Sequence, residues 1–262
     1  QDPGRYGRVL TEGSNVTRIV EWADATPAER AIDLCNAGVL CADARTFRHW
    51  LHNVKNDNTK GEYYLTDVVD LAVADGVNVR AVEAAEDELR GVNSRAELAQ
   101  AEAALQQHLR AQAMANGVTL VAPETVFFCA DTVLEADVLV EPHVVFGPSV
   151  TVRSGAEIKA FSHLEGCTVQ SDAIIGPYAR LRPGTQVGAK ARIGNFVEVK
   201  NATLGDGAKA NHLTYLGDAT VGAGTNVGAG SITCNYDGFF KHRTPPCAPV
   251  FVVSTSTTLA PV

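Results

Sequence analysis

Apolar residues recur every six positions through the second half of the chain. The ladder runs Ala122, Phe128, Leu134, Val140, Phe146, Val152, Ile158 and Leu164, then takes a five-residue step to Val169. It resumes through Ile175, Leu181, Val187, Ile193 and Val199, and two more five-residue steps carry it through Leu204, Ala210, Leu216, Val221 and Val227. Four residues after these positions stand small or β-branched side chains: Val126, Thr132, Val138, Val144, Val150 and Ala156 through to Thr225 and Ser231. A period of six fits neither an amphipathic helix nor an alternating strand. It predicts a parallel β-helix in which each hexapeptide is one short strand plus a corner. Three strands per turn stack residues about eighteen apart, at the strand spacing of about 4.8 Å. The ladder residues and the small residues four places on then point inward, and Gly and Asp mark corners.

The first ninety residues carry a different pattern, that of a mixed α/β domain. β-Branched runs predict strands at Thr17–Trp22, Ala37–Cys41 and Val77–Val82. Helices are predicted over Thr46–Val54 and Thr66–Ala74, the second opened by a Thr66 cap and closed near Gly76. The stretch Asn56–Gly61 reads as a loop. Ser94-Arg95-Ala96-Glu97 is a capping box opening a helix that should stop near Asn116-Gly117, with Leu98, Ala101, Leu105 and Leu109 as its packing face. The expected organisation is therefore an α/β domain over 1–93, a linker helix over 94–117, and hexapeptide repeats over 118–262.

Composition narrows the function. A net charge of −8 gives no basic footprint for nucleic acid. No apolar stretch is long enough to span a bilayer, and the opening residues Gln1-Asp2-Pro3-Gly4-Arg5 lack the regions of a signal peptide. The six cysteines are scattered, without metal or redox spacing, as expected of reduced thiols in a cytoplasmic protein.

The repeat also works as a ruler. It places Arg182 and Lys200 at equivalent positions on successive turns, one strand spacing apart. Two stacked cations either splay into solvent or share an anion such as a phosphate. One five-residue step shortens the next turn, so Asn195 lies beneath His212, Ala229 above it, and Glu198 beneath Tyr215. A histidine in that company is either a solvated structural residue or a general base, with Glu198 as the expected orienting partner. His143, His163 and His212 are not at stacking intervals, which argues against a metal cluster within one chain. The polar and aromatic excursion from Thr233 to Arg243 breaks the repeat. It is either a solvated insertion or a loop completing a site, in which Lys241-His242-Arg243 would favour an anion.

The segments Gly176–Gly184, Gly194–Lys200, His212–Asp218 and Cys234–Gly238 resemble the acetyltransferase half of the bacterial bifunctional N-acetylglucosamine-1-phosphate uridyltransferase/glucosamine-1-phosphate acetyltransferase (GlmU) family. Tyr6-Gly7-Arg8, Val20-Glu21, Asn36-Ala37-Gly38, Gly61–Tyr64 and Gly91-Val92-Asn93 resemble the end of that family's uridyltransferase domain. The resemblance implies a partial nucleotidyltransferase domain followed by a left-handed β-helix, assembled as a homotrimer with shared sites. It implies His212 as the base when the glucosamine amine attacks acetyl-CoA. Arg182 and Lys200 would hold the sugar phosphate, and Tyr215 and Asn226 the sugar. Ala229, Asn235, Tyr236 and Ser254 would contact acetyl-CoA, the N–H near Ala229 being a candidate oxyanion donor. In the first domain Gly7, Glu21 and Asn36 would contact the UDP-sugar, and Asn93 both the UDP-sugar and Mg2+.

Two departures bear on activity. The family's Gly-rich phosphate loop does not occur in this sequence, so the chain alone is not expected to transfer uridylyl groups from UTP. Pro245–Pro249 and Val253–Thr257 replace a Gly/Asp corner and a Gly-Ser-Asp run, and the chain stops at Val262, before the family's last coils. Acetyl-CoA binding by this fragment is therefore expected to be incomplete. Two other classes share the repeat: a trimeric zinc enzyme of the β-helical carbonic anhydrase type, and a non-catalytic scaffold.

Overall fold

The computed structural model describes residues 4–85, 88–89, 91–92, 94–240, 242–247, 251–252 and 257–259. The chain forms two compact units, Gln1–Ala101 and Glu102–Val262.

The first unit is built on a two-stranded antiparallel sheet, Arg8–Glu12 against Asn15–Val20. Gly13, at φ +61°, makes the tight turn between them, a left-handed conformation that glycine adopts without a Cβ clash. Helices Ala44–Asn53 and Asp67–Ala74 pack beside the sheet, burying Trp50, Val68, Val69 and Ala72. Of the three predicted strands only Thr17–Trp22 is realised, over Asn15–Val20. Ala37–Cys41 and Val77–Val82 are not strands: single bridges are made by Cys35, just before the first, with Arg8, and by Val79, within the second, with Val16. β-Branched side chains favour a pleated surface, but a strand also needs a partner edge along its length. The guanidinium of Arg8 is wholly buried, donating to the carbonyls of Arg30, Tyr6 and Gly4 and lying 4.8 Å from the Trp22 ring centre.

The second unit is a parallel β-solenoid. One face stacks seven strands, each paired in parallel with the strand a turn away. Pairs such as Ile174 with Arg192 are eighteen residues apart, and Gln186 with Thr203 seventeen, as the six- and five-residue steps require. The interior is the predicted one: Val138, Val140, Val144, Val150, Val152, Ala156, Ile158 and Leu181 have no exposed surface.

The corners differ from expectation. Gly and Asp occupy some, but Phe161, Tyr178, Phe196 and Leu213 also sit at φ between +44° and +59°. Bulky side chains are uncommon in that region. Here the rings stack: His143 on Phe161 at 4.8 Å, Phe161 on Tyr178 at 4.9 Å and Tyr178 on Phe196 at 5.3 Å.

Helix Arg95–Ala115 ends at Gly117, φ +90°, and the Ser94 hydroxyl accepts the N–H of Glu97. Its buried face matches the expected apolar stripe only in part. Leu98 and Leu105 are exposed, whereas Gln106 is buried. The Gln106 amide donates to the Phe128 carbonyl at 2.7 Å and accepts the Phe128 N–H at 2.9 Å. Arg110 donates to the Val126 carbonyl at 2.8 Å. Backbone groups at the first coil would otherwise be buried without partners, and the helix supplies them from side chains. Leu109 and Ala113 pack onto the same end of the core.

Candidate functional site

Two nine-residue strands, Arg192–Lys200 and Lys209–Gly217, run in parallel register at the centre of the candidate site. Both are longer than the two- to four-residue strands elsewhere in this unit because pairing continues around a corner. Asn195 pairs with His212 and Glu198 with Tyr215, as the spacing predicts. The strand below continues the columns. Leu181 pairs with Val199, which sets Arg182 beside Lys200, and the Arg182 N–H donates to the Val199 carbonyl at 2.8 Å.

Side-chain contacts depart from the expectation in one respect. Glu198 does not reach His212. Its Oε1 lies 2.8 Å from Arg182 Nη1, an ion pair about one-third exposed. The imidazole Nδ1 of His212 instead lies 2.8 Å from Asn195 Oδ1. The nearest opposite charge captures the carboxylate, leaving a neutral amide beside the ring. The stacked cations are thus accompanied by an internal anion.

The remaining predicted residues fall around this pair. Tyr215 lies across Gly217, where an added Cβ would come within 2.6 Å of the ring carbon bearing the hydroxyl. Gly217 is therefore a site residue that pattern reading missed, although a Tyr two places before a Gly in one strand was a usable signal. Asn226 pairs with Lys209, one turn up and three residues before the His212 column. Ala229 stands over His212 by the same register, with the Gly230 N–H donating to the Leu213 carbonyl at 2.9 Å. Asn235 donates its amide to Asp218, and its carbonyl accepts the His242 N–H at 2.8 Å. Tyr236 is exposed and donates to the Gly238 carbonyl at 2.8 Å.

The excursion is ordered by Asp237. Its carboxylate accepts the N–H groups of Phe239 at 2.8 Å and Phe240 at 2.6 Å, and lies 2.7 Å from His242 Nε2. The Phe240 N–H, then the His242 ring and the Phe239 N–H, hold this carboxyl down at about 2. Phe239 and Phe240 are left exposed at the loop tip. Ser254 and Asn93 lie outside the described residues.

In the first unit, Gly7, Glu21 and Asn36 come together. The Asn36 N–H donates to the Gly7 carbonyl at 2.9 Å, and a Cβ on Gly7 would lie 3.4 Å from Glu21 Oε1. Glu21 and Asn36 line a cavity of about 220 Å³ with Gly38, Leu40, Tyr63, Tyr64, Leu65 and Thr66. Thr66, expected to cap its helix, makes no side-chain cap bond; its hydroxyl donates to Glu21 Oε1 at 3.0 Å.

No protein-family model matches the chain. Curated sequences do. Over its full length the chain is 71% identical to "Bifunctional protein GlmU" of Gluconacetobacter diazotrophicus, covering 57% of that protein. It is 66% identical to the protein of the same name from Gluconobacter oxydans and 62% to that from Acidiphilium cryptum, covering 59% and 60% of them. Among solved structures, the acetyltransferase domain of PglB from Neisseria gonorrhoeae FA1090 in complex with acetyl coenzyme A aligns at 15% identity and a TM-score of 0.34. That alignment covers 60% of this chain and 63% of the other, and a likeness so slight carries no argument. No helix in the described residues is long and apolar enough to cross a membrane. The chain spans about three fifths of the length of these curated relatives, and the similarity to proteins named GlmU extends over the whole of it.

Proposed function

We propose that the second unit is the acetyl-transfer site of a bifunctional sugar-nucleotide enzyme, moving an acetyl group from acetyl-CoA to the amine of glucosamine-1-phosphate. The observation that carries this reading is an exposed, side-chain-anchored imidazole, His212, stacked one turn from the strand of Lys200, which in turn stacks on Arg182. The two cations bind the phosphate, Arg182 exchanging its Glu198 partner for a phosphate oxygen. Tyr215 and Asn226 hold the sugar.

The amine nitrogen attacks the thioester carbonyl carbon, and His212 takes the proton released as the C–N bond forms. The C–S bond then breaks, and the CoA thiolate leaves and is protonated. The developing oxyanion needs a backbone donor. The N–H of Ala229, which stands over His212 in register, is the candidate for that task. Asn235 and Tyr236, on the excursion loop, and Ser254 contact acetyl-CoA. The solenoid is left-handed and assembles as a homotrimer with sites shared between subunits.

The first unit contributes the sugar side of a uridyltransferase site in the longer protein, through Gly7, Glu21, Asn36 and Asn93, and takes UDP-N-acetylglucosamine in the cavity beside Glu21. The product of both steps is that cell-wall precursor. Mg2+ needs near-octahedral oxygen coordination; Asn93, outside the described residues, would offer one amide oxygen, and among the described residues no group of three or more His, Cys, Asp or Glu side chains is placed to hold a metal ion. Kinship with GlmU proteins favours this reading over the zinc enzyme and the scaffold.

Release of free thiol from acetyl-CoA, dependent on glucosamine-1-phosphate, tests the proposal. Activity that His212→Ala lowers by at least ~100-fold supports it. A longer relative from the same family with no such activity, or activity unchanged by His212→Ala, overturns it.

A further inference from the structure

We propose that Asn195 is a positioning residue that fixes the tautomer of His212. Its amide oxygen accepts the Nδ1–H, leaving the Nε2 lone pair free to take a proton. The catalytic consequence rests on the acetyl-transfer reading above; the tautomer assignment does not.

The column containing His212 reads Pro177, Asn195, His212, Ala229 from one turn to the next. Proline and alanine side chains cannot hydrogen-bond an imidazole. Asn195 is therefore the one side chain in the column that can, and it does so at 2.8 Å. Its placement is set by backbone pairing on both sides, so the contact does not depend on a flexible loop. Glu198, the carboxylate on the same strand as Asn195, is engaged by Arg182. The other titratable or charged groups on these turns, residues 177–228, are Tyr178, Arg180, Lys190, Arg192, Lys200, Asp206, Lys209, Tyr215 and Asp218. The turn above contributes no charged residue from Asn226 to Ile232.

An amide differs from a carboxylate in what it does to the ring. Either acceptor selects the Nδ1–H tautomer, because the partner of one ring nitrogen decides the state of the other. Only a carboxylate also stabilises the imidazolium through its charge. Asn195 thus orients the base without setting a negative charge beside it.

The test is ring 15N–1H NMR of His212 in the 262-residue chain, its signals identified by their loss in His212→Gln. The wild-type spectrum should show Nδ1 protonated and Nε2 bare in the neutral ring. Asn195→Ala should shift the ring toward the mixture of tautomers found in free imidazoles. Acetyl transfer should lose kcat by ~10–100-fold in Asn195→Ala, with KM values within about twofold, the range expected when an orienting hydrogen bond is removed. Asn195→Asp should restore the tautomer and move the acid limb of the pH–rate profile up by about one unit or more. An Nε2–H tautomer in the wild-type spectrum, which an amide turned the other way would impose, overturns the proposal. So does a tautomer unchanged in Asn195→Ala. Absence of acetyl transfer alongside the expected spectra would overturn the functional reading and leave the assignment of Asn195 standing.

Discussion

Replacing Gly194 by alanine should damage the candidate site through the backbone alone. Gly194 stands between Ile193, a buried ladder residue, and Asn195, and faces Asn211 on the next turn. An added Cβ would lie 2.6 Å from the Asn211 carbonyl carbon and 2.9 Å from its Cα, and closer still to the carbonyl oxygen. These are main-chain atoms, so no rotamer change relieves the clash. The two strands must separate locally by roughly 0.5–1 Å, enough to forfeit much of the local van der Waals contact. Stretching hydrogen bonds from below 3 Å by that amount takes them past the usual geometric limit. Two or three ladder bonds at about 1 kcal/mol each, added to an overpacking cost of about 1–3 kcal/mol, give a destabilisation of about 3–6 kcal/mol. For a unit of this size that is a fall in Tm of ~6–24 °C, read by calorimetry or circular dichroism. Because Asn211 precedes His212, acetyl transfer should fall as well, below the temperature at which the fold is lost. Gly207→Ala is the control: φ is +65° there but nothing lies within 4 Å, so only backbone strain of about 1–2 kcal/mol is expected. A Gly194→Ala protein with unchanged Tm and unchanged turnover would refute the close-approach argument.

Other residues give independent expectations. Glu198→Gln should alter the KM for the sugar phosphate, since Arg182 loses its ion-pair partner, and leave the acid limb of the pH–rate profile in place; a displaced limb would return Glu198 to the role of partner to His212. Cys167 is 2% exposed and burial pushes its thiol up to about 12, so at pH 8 iodoacetamide should label exposed Cys41 and spare Cys167. Comparable labelling rates by mass spectrometry would contradict that. For Asp237 the folded value of about 2 lies below the ordinary 3.8. Its contribution to loop order is therefore complete above ~4 and lost as pH falls through about 2. Amide exchange at Phe239 and Phe240 should show protection that fades over this window in the wild type, and Asp237→Asn should remove the pH dependence.

The solenoid was legible because its signal is long and its geometry leaves little freedom. Once the six-residue period is counted, register follows by arithmetic, which is why Asn195 opposite His212 and Glu198 opposite Tyr215 could be written down from the sequence. Register says which residues are neighbours, but not which way their side chains turn. Glu198 turns to Arg182 because an opposite charge is within reach, and that preference depends on rotamers the repeat does not encode. The corners were misjudged for a related reason. Propensity reserves positive φ for Gly, Asn and Asp, whereas Phe161, Tyr178 and Phe196 adopt it while gaining ring stacking from the turns next to them. In the first unit the reading relied on local composition. It missed the short strand Arg8–Glu12, though the Gly13-Ser14 turn before Asn15 was a hairpin signal, and it overcounted runs such as Val77–Val82 that find no partner edge. Gln106 was hidden for the opposite reason: a polar residue in a helix reads as surface until an open coil end needs its amide.

The parallel ladder has a mechanical side. Its backbone hydrogen bonds all run along the stacking direction, turn to turn, and so does the column of rings from His143 to Phe196. A force pulling along that direction loads one layer of bonds and one ring contact at a time, so turns should peel away singly at low force. A force applied along the strands must shear many bonds together. The unit is therefore a directional spring, compliant along the stack and stiff across it, and its candidate site spans successive turns whose separation is the compliant coordinate.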